Sequence, residues 1–224
     1  GEYVCKLNKS LYGLKQAGRQ WAQLLASFLL EWGFHRSPMD PCFYCYHKNS
    51  SLLWVLIYVD DGILMDNDSE IRESFMRSLS ARFPTEDKGE LTWILNVAVG
   101  RNRKLNTITM SQQLYIDDLL HKFPAVQYPS LSRHFDTPMT DRVNSDETIS
   151  NANEVSAAEK ASYMSLVGGL LWLANMTRYD IAYSTAQLSR RYTNPTTDDL
   201  KAAFRVLAYV RDTADRVLTF SPKP

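Results

Sequence analysis

The sequence predicts an α+β fold, an antiparallel sheet with flanking helices followed by an α-helical region. Three observations carry this reading. Apolar runs on both sides of Asp60-Asp61-Gly62, and again around Arg101-Asn102-Arg103-Lys104, read as two hairpins. Apolar residues recur at helical spacing over Lys15–Trp32 and Ser69–Phe83. Beyond a tract rich in Pro, Asn, Ser and Asp, from Pro124 to about Ser156, the patterning is helical almost to the C-terminal residue.

Each element has its own justification. Trp21, Leu24, Leu25, Phe28, Leu29 and Trp32 share a helical face, and Gly33 follows as the C′ residue. Pro41–His47 is short and aromatic-rich and reads as a strand. Asn49-Ser50-Ser51 is a turn, and Leu52–Val59 reads as a buried strand. Asp60-Asp61-Gly62 interrupts the apolar run, and Ile63-Leu64-Met65 resumes it. Ile71, Phe75, Leu79 and Phe83 give the next helix its apolar face. Leu91–Val99 and Leu105–Met110 form the arms of the second hairpin. Ser111 can cap a helix reaching about Lys122, with Leu114, Tyr115, Leu119 and Leu120 inward. The tract from Pro124 is read as a linker, partly mobile. Helices are then expected at about Ala158–Asn175, Ile181–Arg191 and Thr197–Thr213, and a short strand at Val217–Phe220.

Composition narrows the classes. The chain has 224 residues, enough for one large domain or two small ones. With 45% hydrophobic and 12% aromatic residues it can bury a core, which excludes disorder as its organising state. Basic and acidic residues number 25 each, so a uniformly basic coat protein and an acidic tail are both excluded. The longest apolar runs, Leu52–Val59 and Leu170–Ala174, fall short of the roughly 20 residues that a membrane span needs. The chain opens Gly-Glu-Tyr-Val-Cys-Lys, without Met or a leading apolar stretch, so a fragment without a secretory signal is expected. Cys5, Cys42 and Cys45 fit a reducing compartment rather than a disulfide scaffold.

The sharpest chemical feature is Tyr58-Val59-Asp60-Asp61. Adjacent carboxylates on a tight turn repel, and a divalent cation offsets that repulsion. Hard oxygen ligands suit Mg²⁺, and two such ions can clamp an in-line phosphoryl displacement. An Asp-Asp-Gly surface turn that only joins two strands is an equally good reading of the local residues.

A second feature is Lys9–Trp21, where cations and aromatics crowd the start of the first helix. They could meet phosphates and bases. A solvated basic face with Trp21 as core is the plainer reading. Charge segregates along the chain: the first segment is positive, Asp60–Glu90 is acidic, and the tail from Arg178 is positive. Cys42 and Cys45 have zinc-like spacing but no second pair, so two separate core thiols are expected. His35, His47, His121 and His134 form no ligand motif, and Gly168-Gly169 suits close helix packing.

Together the motifs resemble the reverse transcriptases of copia-type (Pseudoviridae) retrotransposons. Lys6–Ala17 resembles the family's KLxKSLYGLKQAPRxW signature, and Gly33-Phe34 with Asp40-Pro41-Cys42 its GFxxSxxDPCxF. Tyr58–Asp61 resembles the catalytic YVDD, and Phe83, Asp87 and Gly89-Glu90-Leu91 resemble FxxxDxGEL. Thr137-Pro138-Met139, Val167-Gly168, Leu170–Leu173, Thr177-Arg178, Asp180–Tyr183, Arg205-Val206-Leu207 and Tyr209 continue in the family's order, over nearly the whole chain.

The resemblance implies a right-hand polymerase: partial fingers and palm over residues 1–123, a linker over 124–157, and a helical thumb or connection region over 158–224. It implies RNA-directed DNA synthesis from deoxynucleoside triphosphates on a primed RNA or DNA template, using two Mg²⁺ ions. Asp60 and Asp61 are then the catalytic, metal-binding pair. Tyr58 and Val59 would face the primer terminus. Tyr12, Gly13, Lys15, Gln16 and Arg19 would lie near template and incoming nucleotide, and Gly89, Glu90 and Leu91 would support the primer. The remaining polyprotein, with integrase and RNase H, would be a partner, and a cytoplasmic virus-like particle the location.

Some positions depart from the family. Its third catalytic aspartate lies in an upstream DVxxAF-like motif, before the point where this chain begins, so the fragment alone is expected to be inactive. Gly18 stands where the family has Pro, Asn96 where it has Gly, and Tyr179 where it has Pro. The alternative is therefore an inactive relic or domesticated fragment that binds nucleic acid or protein at most.

Overall fold

The computed structural model describes residues 3, 6–124, 128–140 and 155–222. The fold is mixed, with antiparallel sheets and, among the described residues, six α-helices and eight strands. It divides into two compact units, Gly1–Glu90 and Leu91–Pro224.

In the first unit, α1 (Ala17–Trp32) stops where Gly33 takes φ 108° and its N–H turns back to the Leu29 and Leu30 carbonyls. The strands β1 (His35–Arg36), β2 (Phe43–Lys48), β3 (Ser51–Tyr58) and β4 (Asp61–Asp66) pair antiparallel in chain order. Helix α2 (Ser69–Arg82) begins at Asp68, whose carboxylate accepts the Glu70 and Ile71 N–H groups. The Ser51 hydroxyl also donates to it, at 2.6 Å, and holds its pKa below the ordinary carboxylate value.

The core of this unit joins Phe28, Leu29 and Phe34 to Tyr44, Leu53, Val55, Phe75 and Phe83. The helices thus cover one face of the sheet. Leu53 and Val55 point into that core, whereas Trp54 and Tyr58 are 40% and 55% exposed. The run expected to be a buried strand is therefore buried on one face only, because strand side chains alternate and α1 and α2 both pack on the Leu53 and Val55 face. The expectation of two core thiols also fails: Cys42 is exposed ahead of β2 and Cys45 is half-buried. Cys5 lies outside the described residues.

In the second unit, β5 (Trp93–Ile94), β6 (Val97–Asn102), β7 (Thr107–Ser111) and β8 (Leu218–Phe220) form another antiparallel sheet in chain order. The arm expected over Leu91–Val99 breaks at Leu95-Asn96, where φ is 48° and 61°. Paired left-handed residues make a two-residue turn between Ile94 and Val97. Asparagine enters that region readily, so Asn96 keeps the turn at a position where glycine was expected.

Helix α3 (Gln113–Lys122) buries Ile116 and Leu119, but Leu114 is 60% exposed, against the expectation that it faces inward. Helices α4 (Ala157–Met176), α5 (Ala182–Ser189) and α6 (Thr197–Asp212) complete the unit. Capping boxes, Ser156 with Glu159 and Thr196 with Asp199, start α4 and α6. Gly169 permits the contact of α4 with α3, since a Cβ there would meet Leu119 Cδ1 at 2.8 Å.

Part of the tract read as a linker is packed. Leu131 is buried, and Phe135 and Met139 lie against the helical core. Residues 141–154 of that tract lie outside the described residues. The boundary between the units follows Glu90, so the second hairpin and α3 group with the later helices.

Candidate active site

The β3–β4 hairpin carries the candidate site. Tyr58 pairs with Asp61 and Ile57 with Gly62, so the loop is the two residues Val59-Asp60. Asp61 and Gly62, read from sequence as part of the turn, already belong to β4. Val59 takes φ 54°, a left-handed conformation unusual for a β-branched residue. Such strain persists only where the surroundings hold it, and it clusters at functional sites.

Here the surroundings include α1. The Trp21 indole N–H donates to the Val59 carbonyl at 3.0 Å. The indole itself stands edge-on to Phe83, with ring centroids 5.3 Å apart, and Phe83 meets Phe28 in the same way at 5.5 Å. The aromatic core of the unit therefore reaches the hairpin tip through one side chain. Sequence reasoning placed Trp21 on an apolar helix face and missed this role. No local signal reports a hydrogen bond across 38 residues.

Asp60 and Asp61 are both exposed at the tip, flanked by Tyr58 and Val59, which are 55% and 62% exposed. The segment leading into α1 is close to Trp21 in sequence. Tyr12 is almost fully exposed, Gly13 takes φ 92°, and Lys15, Gln16 and Arg19 are exposed around the first turn of α1. Gln16 occupies the N-cap position without a side-chain cap. The helix that starts at this loop is thus the one that holds the hairpin tip. Gly89 takes φ 79° and donates its N–H to Asp87 at 2.8 Å. Gly89 and Glu90 close the first unit and Leu91 opens the second.

Residues 1–132, more than half of the chain, match the family described as reverse transcriptase (RNA-dependent DNA polymerase). The chain belongs to the reverse transcriptase family. Among curated relatives, the chain is 33% identical over 94% of its length to "Retrovirus-related Pol polyprotein from transposon RE1" of Arabidopsis thaliana. It is 32% identical over 97% of its length to the corresponding polyprotein of transposon TNT 1-94 of Nicotiana tabacum. It covers only 14% and 16% of those two relatives. It also covers 68% of "Putative transposon Ty5-1 protein YCL074W" of Saccharomyces cerevisiae, at 27% identity. The copia-type resemblance is borne out by these transposon relatives. No solved structure matches.

Reverse transcriptases of this family generally use divalent metals. The donor set at the tip fits Mg²⁺ in kind: two exposed carboxylates supply hard oxygens, and Mg²⁺ keeps several waters and takes further ligands from substrate phosphates. Among the described residues, no group of three His, Cys, Asp or Glu side chains could hold a metal.

Proposed function

We propose that this chain is the nucleotidyl-transfer portion of a transposon Pol polyprotein, joining deoxynucleotides to a primer on an RNA or DNA template. The observation that carries this reading is the hairpin tip. Two exposed carboxylates, Asp60 on the two-residue turn and Asp61 at the start of β4, stand at a tip that the half-buried Trp21 ties to the buried rings of Phe83 and Phe28. A structural turn needs neither a strained valine nor a helix-borne hydrogen bond to hold it.

In this reading Asp60 and Asp61 bind divalent ions, which supply charge neutralisation at the transferring phosphoryl group when present. Tyr58 and Val59 flank the carboxylates and pack against the primer terminus. Lys15 and Arg19 pair with phosphates, Tyr12 stacks on a base, and Gly13 and Gln16 bring backbone close to the nucleotide. Gly89, Glu90 and Leu91 support the primer strand. The first sheet with α1 and α2 is then palm with partial fingers, and the helices from α4 onward are thumb or connection. Integrase and RNase H portions of a longer polyprotein are the expected partners.

The test is binding and extension of a primed template by the 224-residue chain, with and without Mg²⁺, alongside Asp60→Asn. Binding strengthened by Mg²⁺ together with deoxynucleotide, and weakened severalfold by Asp60→Asn, is the expected result. Binding indifferent to both overturns the assignment of the hairpin tip. Metal-sensitive binding without primer extension assigns these residues, by themselves, a binding role.

A further inference from the structure

The second sheet carries a cationic and aromatic row that the proposed polymerase site does not use. Register places Arg101 on β6 opposite Ile108 on β7, and Ile108 opposite Phe220 on β8. Residues directly opposite across antiparallel strands share a face, so these three side chains form one row across the sheet. All three are exposed, Ile108 by 39% and Phe220 by 53%. An exposed phenylalanine on an edge strand beside an exposed isoleucine lacks the burial that usually explains such residues.

The loop that closes the row is also basic. Arg103 and Lys104 follow Arg101, and the Asn102 carboxamide oxygen accepts the Lys104 and Leu105 N–H groups at 3.1 Å, which fixes the loop backbone. Arg101, Arg103, Asn106, Thr107 and Ile108 line a depression of about 290 Å³, and no carboxylate is among them. Among the described residues, neither Arg101 nor Lys104 has a side-chain hydrogen bond or ion pair.

We propose that this row binds single-stranded nucleic acid. Guanidinium and ammonium groups at one end suit backbone phosphates, and the Phe220 ring at the other suits a base face. An acidic peptide would use the cations but leave the aromatic end without a role. Duplex would engage the cations alone, because its bases are stacked inside. The inference rests on the chain handling nucleic acid, the function proposed for it, and adds a second binding surface remote in sequence from Asp60.

The test is fluorescence anisotropy of the whole chain with a labelled single-stranded oligonucleotide and a blunt duplex over a salt series. Arg101→Gln combined with Lys104→Gln should flatten the single-strand salt dependence by about 1.4 in log–log slope, at about 0.7 for each phosphate no longer neutralised. Phe220→Ala should weaken single-strand binding about tenfold with the slope unchanged, and leave duplex binding unaltered. Circular dichroism and thermal melts check that both variants fold; the paired glutamine variant changes only exposed side chains. If the unaltered chain binds its primed template but both variants bind single strands as it does, this inference falls and the function stands. If the unaltered chain binds no nucleic acid, both fall.

Discussion

Trp21 and Val59 are joined by a hydrogen bond of 3.0 Å between an α1 indole and the carbonyl of the hairpin turn. This single interaction ties the paired carboxylates to the aromatic core. Trp21→Phe keeps a ring against Phe83 and removes the N–H donor. It should lower stability by about 1 kcal/mol, the typical net worth of one such bond. Urea denaturation measures that change. Amide exchange at Asp60 and Asp61 should also quicken, and unchanged exchange would show that the tip does not depend on Trp21.

Val59 should be a poor residue for its own backbone. Strain at a left-handed β-branched position is worth about 1–3 kcal/mol, and the added chain entropy of glycine costs about 0.5–1 kcal/mol. Since Val59 is 62% exposed, truncation sacrifices little burial. Val59→Gly should therefore raise stability by about 1 kcal/mol, read as a higher denaturation midpoint. A lower midpoint would contradict the strain argument.

Arg178 is the largest fully buried side chain among the described residues. Its Nε and Nη2 donate to the two Asp180 carboxylate oxygens at 2.9 Å, and its Nη1 and Nη2 to the Thr213 carbonyl and hydroxyl. Arg178→Met should destabilise the second unit by about 3 kcal/mol, because it leaves Asp180 short of a charge partner. Burial pushes the Asp180 carboxyl upward. Arg178, with help from Tyr209 and Arg216, outweighs that and holds it below 3.8. A depressed carboxylate stabilises fully above its unfolded value, and that stability disappears as pH falls through the folded value. Asp180→Asn should flatten the acid limb of the stability curve below about pH 4, monitored by thermal melts at stepped pH.

His134 behaves in the opposite sense. Asp212 and Asp136 flank its two ring nitrogens at 2.8 and 3.1 Å. Those hydrogen bonds, Asp212 first, raise the imidazole above 6.5. A raised histidine stabilises fully below its unfolded value, and the gain disappears as pH rises through the folded value. Proton NMR titration should find His134 above 6.5, and His134→Gln should remove stability at about pH 6 but not at about pH 9. A histidine titrating at or below the ordinary value would break the prediction.

Much of the architecture is legible locally. Gly33 ends α1 because only a left-handed residue closes that cap, and Ser156 and Thr196 start their helices through bonds to residues three positions on. The family is legible too, since its motifs are short runs in a fixed order along the chain. Less was legible where one residue has two good positions. Leu114 suits either side of a helix, and the run Leu91–Val99 has no glycine to announce its break at Leu95-Asn96.

The chain's own chemistry settles that there are helices and hairpins and that one hairpin reverses next to Asp60 and Asp61, because those depend on residues a few positions apart. Packing decided the rest. It selected which face of β3 is buried, put Arg178 inside, moved Cys42 out, and brought the Trp21 indole to the Val59 carbonyl. These outcomes depend on which surfaces meet after collapse. An apolar or charged side chain specifies only that it needs a partner; the tertiary structure determines which partner it finds.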